Sequence, residues 1–194
     1  MSVENVSYYE DFKEIEKKLW ALLTRAVSDR NSEFRTPVFI CGDKNNLDGR
    51  VVVLRKADEQ NLTLQFHSDI RSTKIGTIKK NSNSSLLFYG KKEKIQLRMN
   101  VESKLHYNDE ITKKSWDKTG HISRKCYLVT NGPGTKSEKP TSGLDNKFDN
   151  FDFTKEESEA GYKNFCVIKC KIKSIEWLYL AAKGHRRALI EFKG

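Results

Sequence analysis

From Thr36 onward the chain breaks into short runs of β-branched and aromatic residues, each closed by turn-forming residues, and that succession limits the fold more than any other feature. The runs are Pro37 to Cys41, Arg50 to Lys56, Leu62 to His67, Ser85 to Tyr89, Ile95 to His106 and Phe165 to Trp177, each of strand length and composition. Clusters such as Gly42-Asp43-Lys44-Asn45-Asn46 and Asp58-Glu59-Gln60-Asn61 separate them and read as turns. Strands outnumber helices and follow one another closely, so the expected architecture is mainly β with peripheral helices, a six-stranded antiparallel barrel in place of a doubly wound sheet. No Gly-x-Gly-x-x-Gly follows a strand, which disfavours a Rossmann dinucleotide site.

Ahead of the first strand, residues 8–27 place Phe12, Ile15, Leu19, Leu22, Leu23 and Val27 at intervals of three or four, which predicts one amphipathic helix packed on the barrel. Two shorter helices are expected near 71–80 and 109–117. Between Thr130 and Asn150 the chain is rich in Gly, Pro, Ser, Asn and Lys, a composition that predicts a long loop. At 194 residues, with no segment reading as an interdomain linker, residues 1–194 are expected to form a single domain.

The helical alternation of residues 1–28 does not read as a signal peptide, and no run approaches the ~20 apolar residues of a membrane span, so a cytoplasmic protein is expected. Cys166 and Cys170, four apart on a strand, would sit ~13 Å apart, beyond disulfide reach. With Cys41 and Cys126 they are expected as free thiols, and no metal site is expected. Lys and Arg total 36 against 26 Asp and Glu, a formal charge of +10. That excess attracts anions of every kind, from nucleic acid to phosphorylated metabolites, without choosing among them.

One set of residues is suited to a phosphate, although Arg50 and Arg55 taken alone also read as ordinary exposed strand residues. Arg50 and Arg55 offer guanidinium forks that match phosphate oxygens, and Lys74 supplies a compact point charge. Ser72 adds a hydroxyl at the start of a short helix, whose free N–H groups favour an anion. Arg50 and Arg55, five apart, point to opposite faces of a regular strand; both reach one ligand only if Arg50, next to Gly49, lies outside the regular pleat. Gln96, between Ile95 and Leu97, is an amide that must find a partner if buried.

The order of these pieces resembles the pyridoxamine 5'-phosphate oxidase family of FMN-binding split barrels. Arg50 to Arg55 is similar to the family's Arg-x-Val-Leu-Leu-Lys strand, Phe66-His67-Ser68-Asp69 to its Phe-Tyr-Thr-Asn-like tetrad, and Ser72-Thr73-Lys74 to its Ser-Arg-Lys step. Ile95-Gln96-Leu97-Arg98 resembles its Arg-Gln-Val strand, and Trp177 with Lys183-Gly184-His185-Arg186-Arg187 resembles its Trp and Arg-Leu-His-x-Arg segment. The resemblance covers roughly residues 35–125 and 163–192. It implies a split β-barrel homodimer with FMN at the interface. Arg50, Arg55, His67, Ser68, Ser72, Thr73 and Lys74 would hold FMN from one subunit, with Gln96, Trp177 and Arg187 from the other. Lys183 and His185 would contact substrate.

Arg55, His67 and Thr73 stand where the family has Lys, Tyr and Arg. The change that bears on function lies at Ser115 to Ser123, where the family's substrate-gripping Tyr and Arg are absent. The resemblance therefore implies an FMN-dependent oxidoreductase of the broader oxidase-like group, with oxidation of pyridoxamine or pyridoxine 5'-phosphate as the activity to test. Substrate hydride would pass to the flavin and then to dioxygen, Arg187 and His185 orienting the substrate, and no side chain is assigned as acid or base. An NAD(P)H-dependent flavin reductase and a non-catalytic FMN binder are the alternatives within flavoproteins. A single-stranded nucleic-acid-binding barrel is the alternative of another class, although its stacking aromatics, Phe66, Phe88 and Tyr89, fall mostly in apolar runs.

Overall fold

The computed structural model of the chain describes residues 7–44, 46–145, 148 and 153–192. After a 3-10 turn at Ser7–Glu10, helix α1 runs Phe12–Ser28. Its start is set by Asp11, whose carboxylate accepts from the backbone N–H of Lys13 (2.7 Å) and Glu14 (3.1 Å), satisfying donors that the first turn leaves open. Ile15, Leu19, Trp20, Leu22, Leu23 and Ala26 bury one face against the sheet, whereas Phe12 stays exposed. Each large side chain so buried is worth roughly 1.5–3 kcal/mol, so docking, more than helix propensity, holds α1 in place.

Among the described residues eight strands follow: β1 Val38–Gly42, β2 Leu47–Val51, β3 Leu54–Asp58, β4 Thr63–Asp69, β5 Asn83–Gly90, β6 Ile95–His106, β7 Phe165–Tyr179 and β8 Arg186–Glu191. All pair antiparallel in the order β2-β1-β5-β6-β7-β4-β3, with β8 beside β7. On β6 the alternation is regular: Ile95, Leu97, Met99 and Val101 point into the core, while Gln96, Arg98, Asn100 and Glu102 point out.

The count differs from the expected six for two reasons. The run expected over Arg50 to Lys56 starts earlier and breaks at Val52 and Val53, because its first half pairs with β1 and its second with β4. Val52 turns inward, its N–H donating to the Pro37 carbonyl (2.9 Å). β2 and β3 thus lie at opposite ends of the sheet order yet are two residues apart in the chain, which obliges the sheet to curl although its hydrogen-bond ladder stays open there. The other reason is β8, in which only Ala188 is buried; it carries too weak an alternation to be read from sequence.

Helix α2 spans Thr73–Lys80 and α3 Glu110–Asp117, one to two residues inside the expected limits. Asp109 caps α3 and pairs reciprocally with Thr112. Two short helices follow, α4 His121–Arg124 and α5 Lys155–Ser158. Around them a second, smaller core forms from Trp116, Tyr127, Phe165 and Val167. Residues 130–145 of the expected loop contain no helix or strand, and 146, 147, 149 and 150 lie outside the described residues. All four cysteines are free, three of them buried. Among the described residues no helix is long and apolar enough to cross a membrane.

Candidate functional site

The break in the β2–β3 run positions the cations. Arg50, on the last turn of the pleat before the break, reaches the start of α2: its Nη1 donates to Ser72 Oγ (3.2 Å) and its Nη2 to Thr73 Oγ1 (3.4 Å). Ser72 is the residue before α2, yet its hydroxyl makes no capping bond to the helix. Instead it also accepts from Lys74 Nζ (2.9 Å), which donates to Ser68 Oγ as well (2.7 Å). The first-turn N–H groups of α2 are thereby left without that cap, at the positive end of the helix.

Lys74 is only 8 % exposed, and its hydrogen-bond partners are neutral hydroxyls. Burial, followed by the neighbouring Arg50 charge, pulls its ammonium down to about 8. The Arg50 Nε is likewise buried and without a hydrogen-bond partner. Two cations, three hydroxyls, an orphaned guanidinium N–H and an uncapped helix start converge on one point. That donor set fits a phosphate group, and so fits the FMN implied by the resemblance.

Ser68 and His67 are successive on β4 and face opposite ways. Ser68 joins the Lys74 cluster, while His67 faces a cavity of about 540 Å³ shared with Arg55, Gln65, Lys114, Ser115 and Lys118. Its ring meets Phe165 edge-on, with centroids 4.8 Å apart. Burial, then the Arg55 charge, pushes its imidazole down to about 3, so His67 is neutral at physiological pH. Arg55 Nε is buried without a partner, and Gln65 Nε2 donates to Ser115 Oγ (3.1 Å), linking β4 to α3.

The remaining expected site residues lie elsewhere on the sheet. Gln96 and Arg187 point outward from β6 and β8, flanking Leu178 of β7 in one row, and Arg187 Nη1 lies 4.0 Å from Glu176. Trp177 is 1 % exposed, packed in the core near Tyr9 and Tyr179. Lys183 and His185 are exposed in the β7–β8 turn. Within one chain, then, Arg50, Ser68, Ser72, Thr73 and Lys74 come together, Arg55 and His67 line the adjoining cavity, and Gln96, Trp177, Lys183, His185 and Arg187 are on strands or turns away from β2.

Asp48 and Arg71 were not foreseen. Asp48, two residues before Arg50 on the same strand face, forms an ion pair with it; the i, i+2 spacing was the available signal. Arg71 grips Asp69 with Nε (3.0 Å) and Nη2 (2.7 Å) and donates through Nη1 to the Val129 (3.2 Å) and Thr130 (3.0 Å) carbonyls. It ties the start of the 130–145 loop to the cluster, and nothing local in the sequence points to that contact.

The fold is a mainly β antiparallel sheet, consistent with a split barrel, with a phosphate-suited cluster at a short helix start. Residues 18–106, which include Arg50 to Lys74 and Gln96, match the family model described as pyridoxamine 5'-phosphate oxidase, FMN-binding domain. The matched stretch is similar to an FMN-binding domain, and FMN is the cofactor that this match supports. Among solved structures, a pyridoxamine 5'-phosphate oxidase-related, FMN binding protein from Nostoc punctiforme PCC 73102 superposes with a TM-score of 0.70 at 17 % identity, over 100 % of this chain and 94 % of that one. PhzG from Burkholderia lata 383 gives 0.67 at 13 % identity, over 97 % and 92 %. ChuZ from Campylobacter jejuni gives 0.57 at 12 % identity, over 95 % and 62 %. At such identities the likeness is one of fold. No curated protein matches the chain significantly.

Proposed function

We propose that the protein is an FMN-dependent oxidoreductase of the pyridoxamine 5'-phosphate oxidase-like type, acting as a homodimer on a small anionic substrate. The observation that carries this reading is the buried Lys74 ammonium, bonded to Ser68 and Ser72 beside Arg50, in a domain of FMN-binding kind. A buried cation with neutral partners is costly unless an anion is meant to meet it. Arg50 and Lys74 would take the cofactor phosphate, with Ser68, Ser72 and Thr73 offering hydroxyls. Bound FMN supplies two-electron redox chemistry. The cavity beside it is lined by Arg55, Lys114 and Lys118, with His67 as a neutral hydrogen-bonding group, and suits a carboxylated or phosphorylated ring. PhzG, of similar fold, was solved with tetrahydrophenazine-1-carboxylic acid, a ligand of that chemistry.

Dimerisation is supported by the outward face of β2, β1, β5 and β8. Val51 and Leu189 are 65 % and 62 % exposed there, with half-buried Val38, Ile40 and Leu87 beside Val51 and the Arg98–Glu176 ion pair between Leu87 and Leu189, a mixed apolar and charged face of the kind a subunit interface covers. A partner's copy of Gln96 and Arg187 would then complete the flavin site. The double change Val51→Glu and Leu189→Glu is expected to convert a dimer to a monomer in light scattering and to weaken FMN binding at least tenfold.

The direct test is the visible spectrum of the purified protein, then titration of flavin-stripped protein with FMN. Saturable binding of one FMN per chain is expected; a protein indifferent to micromolar FMN would sink the proposal. Anaerobic mixing with pyridoxamine or pyridoxine 5'-phosphate, and separately with NADPH, then tells oxidase from reductase by which one bleaches the flavin. Bleaching by none of them leaves a flavin binder.

Binding should also depend on pH with a defined sign. The Lys74 pKa is about 8 in the free protein, and a phosphate beside it raises that value, so binding takes up a proton above pH 8. FMN affinity is expected to fall as pH rises past about 8, by at most about tenfold per unit. The same group affects the free fold oppositely: its depressed pKa makes the flavin-free protein gain stability between about pH 8 and the unfolded value of 10.5, where the unfolded chain alone holds the proton. Calorimetric titrations in two buffers of different ionisation heat read the proton uptake.

A further inference from the structure

Asp48 meets Arg50, one of the two cations of the phosphate-suited cluster. It lies on β2 in register with Cys41, two residues before Arg50, which is in register with Phe39. Residues at i and i+2 share a strand face, and the Asp48 carboxylate pairs with the Arg50 guanidinium. The pair is only partly exposed, 35 % for the Asp48 side chain and 27 % for that of Arg50, so solvent screens it incompletely. Asp69, another carboxylate close by, is engaged by Arg71.

Charge balance gives the arrangement its meaning. Arg50 and Lys74 would match the nearly dianionic phosphate of FMN, but Asp48 leaves the cluster with one net positive charge. The carboxylate also engages the same Nη2 that is turned toward Thr73 Oγ1 at the α2 start, where phosphate oxygens would dock. An incoming phosphate therefore meets a guanidinium already neutralised by an anion of the chain.

We propose that Asp48 is the internal counter-ion of the phosphate cluster: it pairs with Arg50 in the flavin-free protein, yields to the cofactor phosphate, and sets FMN affinity low enough for the cofactor to exchange. This rests on the assignment of the FMN phosphate to Arg50 and Lys74. The effect is specific to the phosphate. Riboflavin, which has the same ring and ribityl chain without it, does not compete with Asp48 for Arg50, whereas FMN does.

The experiment is parallel fluorescence titration of flavin-stripped wild-type, Asp48→Asn, Asp48→Ser and Lys74→Met proteins with FMN and with riboflavin, after thermal melts establish that each variant folds. Asp48→Asn and Asp48→Ser are expected to bind FMN about tenfold or more tightly than wild type, with slower release, and riboflavin within about twofold of wild type. Unchanged or weaker FMN binding in both Asp48 variants overturns the proposal and makes Asp48 a group that merely aims Arg50. Equal tightening for riboflavin also overturns it, since the effect would then not act through the phosphate. If Lys74→Met leaves FMN binding intact, the phosphate assignment itself fails, and the proposal with it. The Lys74 result thus separates failure of the assignment from failure of the counter-ion role.

Discussion

Replacing Lys74 with Met is expected to cost the protein at least about 100-fold in FMN affinity while making the flavin-free fold more stable. Hydrogen bonds to charged groups contribute roughly 1.5–3 kcal/mol each, and Lys74, 8 % exposed, would act on the phosphate with little solvent screening. The same burial makes the ammonium a burden without the cofactor, as its fall to about 8 records. Methionine fills a similar volume and needs neither a counter-ion nor a hydroxyl partner. Loss of binding with a raised melting temperature would therefore mark a site residue, because a residue needed only for folding would lose both together. Arg50→Ala should weaken FMN similarly, and the double variant should bind it no better than it binds riboflavin. The measurements are flavin fluorescence titration and thermal melts without flavin; unchanged FMN affinity in Lys74→Met would remove the phosphate from this cluster.

The second large effect is expected at Arg124, far from that cluster in sequence and fully buried, at 0 % exposure. Its guanidinium donates to Ser158 Oγ (3.3 Å), Glu159 Oε1 (2.5 Å) and the Trp116 carbonyl (2.8 Å), and its centre lies 4.5 Å over the Trp116 ring. Glu159 closes the set by accepting from Trp116 Nε1 with its other oxygen (2.8 Å). Arg124→Ala removes a whole buried side chain and leaves the Trp116 carbonyl and indole face and the Ser158 hydroxyl without their partner, while the half-exposed Glu159 carboxylate is rehydrated, so a loss of about 2–4 kcal/mol is expected. Arg124→Lys should recover little, since a point charge cannot meet three acceptors in one plane and stack on the ring as well. Because Trp116 follows Ser115 on α3, the wall of the His67 cavity should loosen too. Denaturant unfolding reads the stability, and hydrogen exchange over residues 110–128 should show the loosening; wild-type stability in Arg124→Ala would refute the account.

Both effects bear on how much a sequence of this kind discloses. Alternation on β6 and the three-to-four spacing on α1 each reflect local geometry, one face of an element being dry and the other wet. Such elements were legible from residue order, as was the short helix after Ser72. Arg124 was not, because one Arg in a four-residue helix among Lys and Ser looks like any solvated cation until Trp116, Ser158 and Glu159 arrive from other segments. The exposed Phe12 shows the converse: it keeps the helical spacing yet stays 71 % exposed among the described residues.

The sequence by itself determined the mainly β antiparallel class, the leading amphipathic helix, and the set of cations and hydroxyls from Arg50 to Lys74, because periodicity and residue chemistry are properties of neighbours along the chain. Only the tertiary structure decided where the second strand breaks, that β8 exists, that Lys74 is buried against Ser68 and Ser72, and that Asp48 holds Arg50. Each of those depends on which strands meet across the sheet: β2 and β3 cannot serve β1 and β4 without a bend at Val52 and Val53, and it is that bend that turns Arg50 toward α2 and Arg55 toward His67.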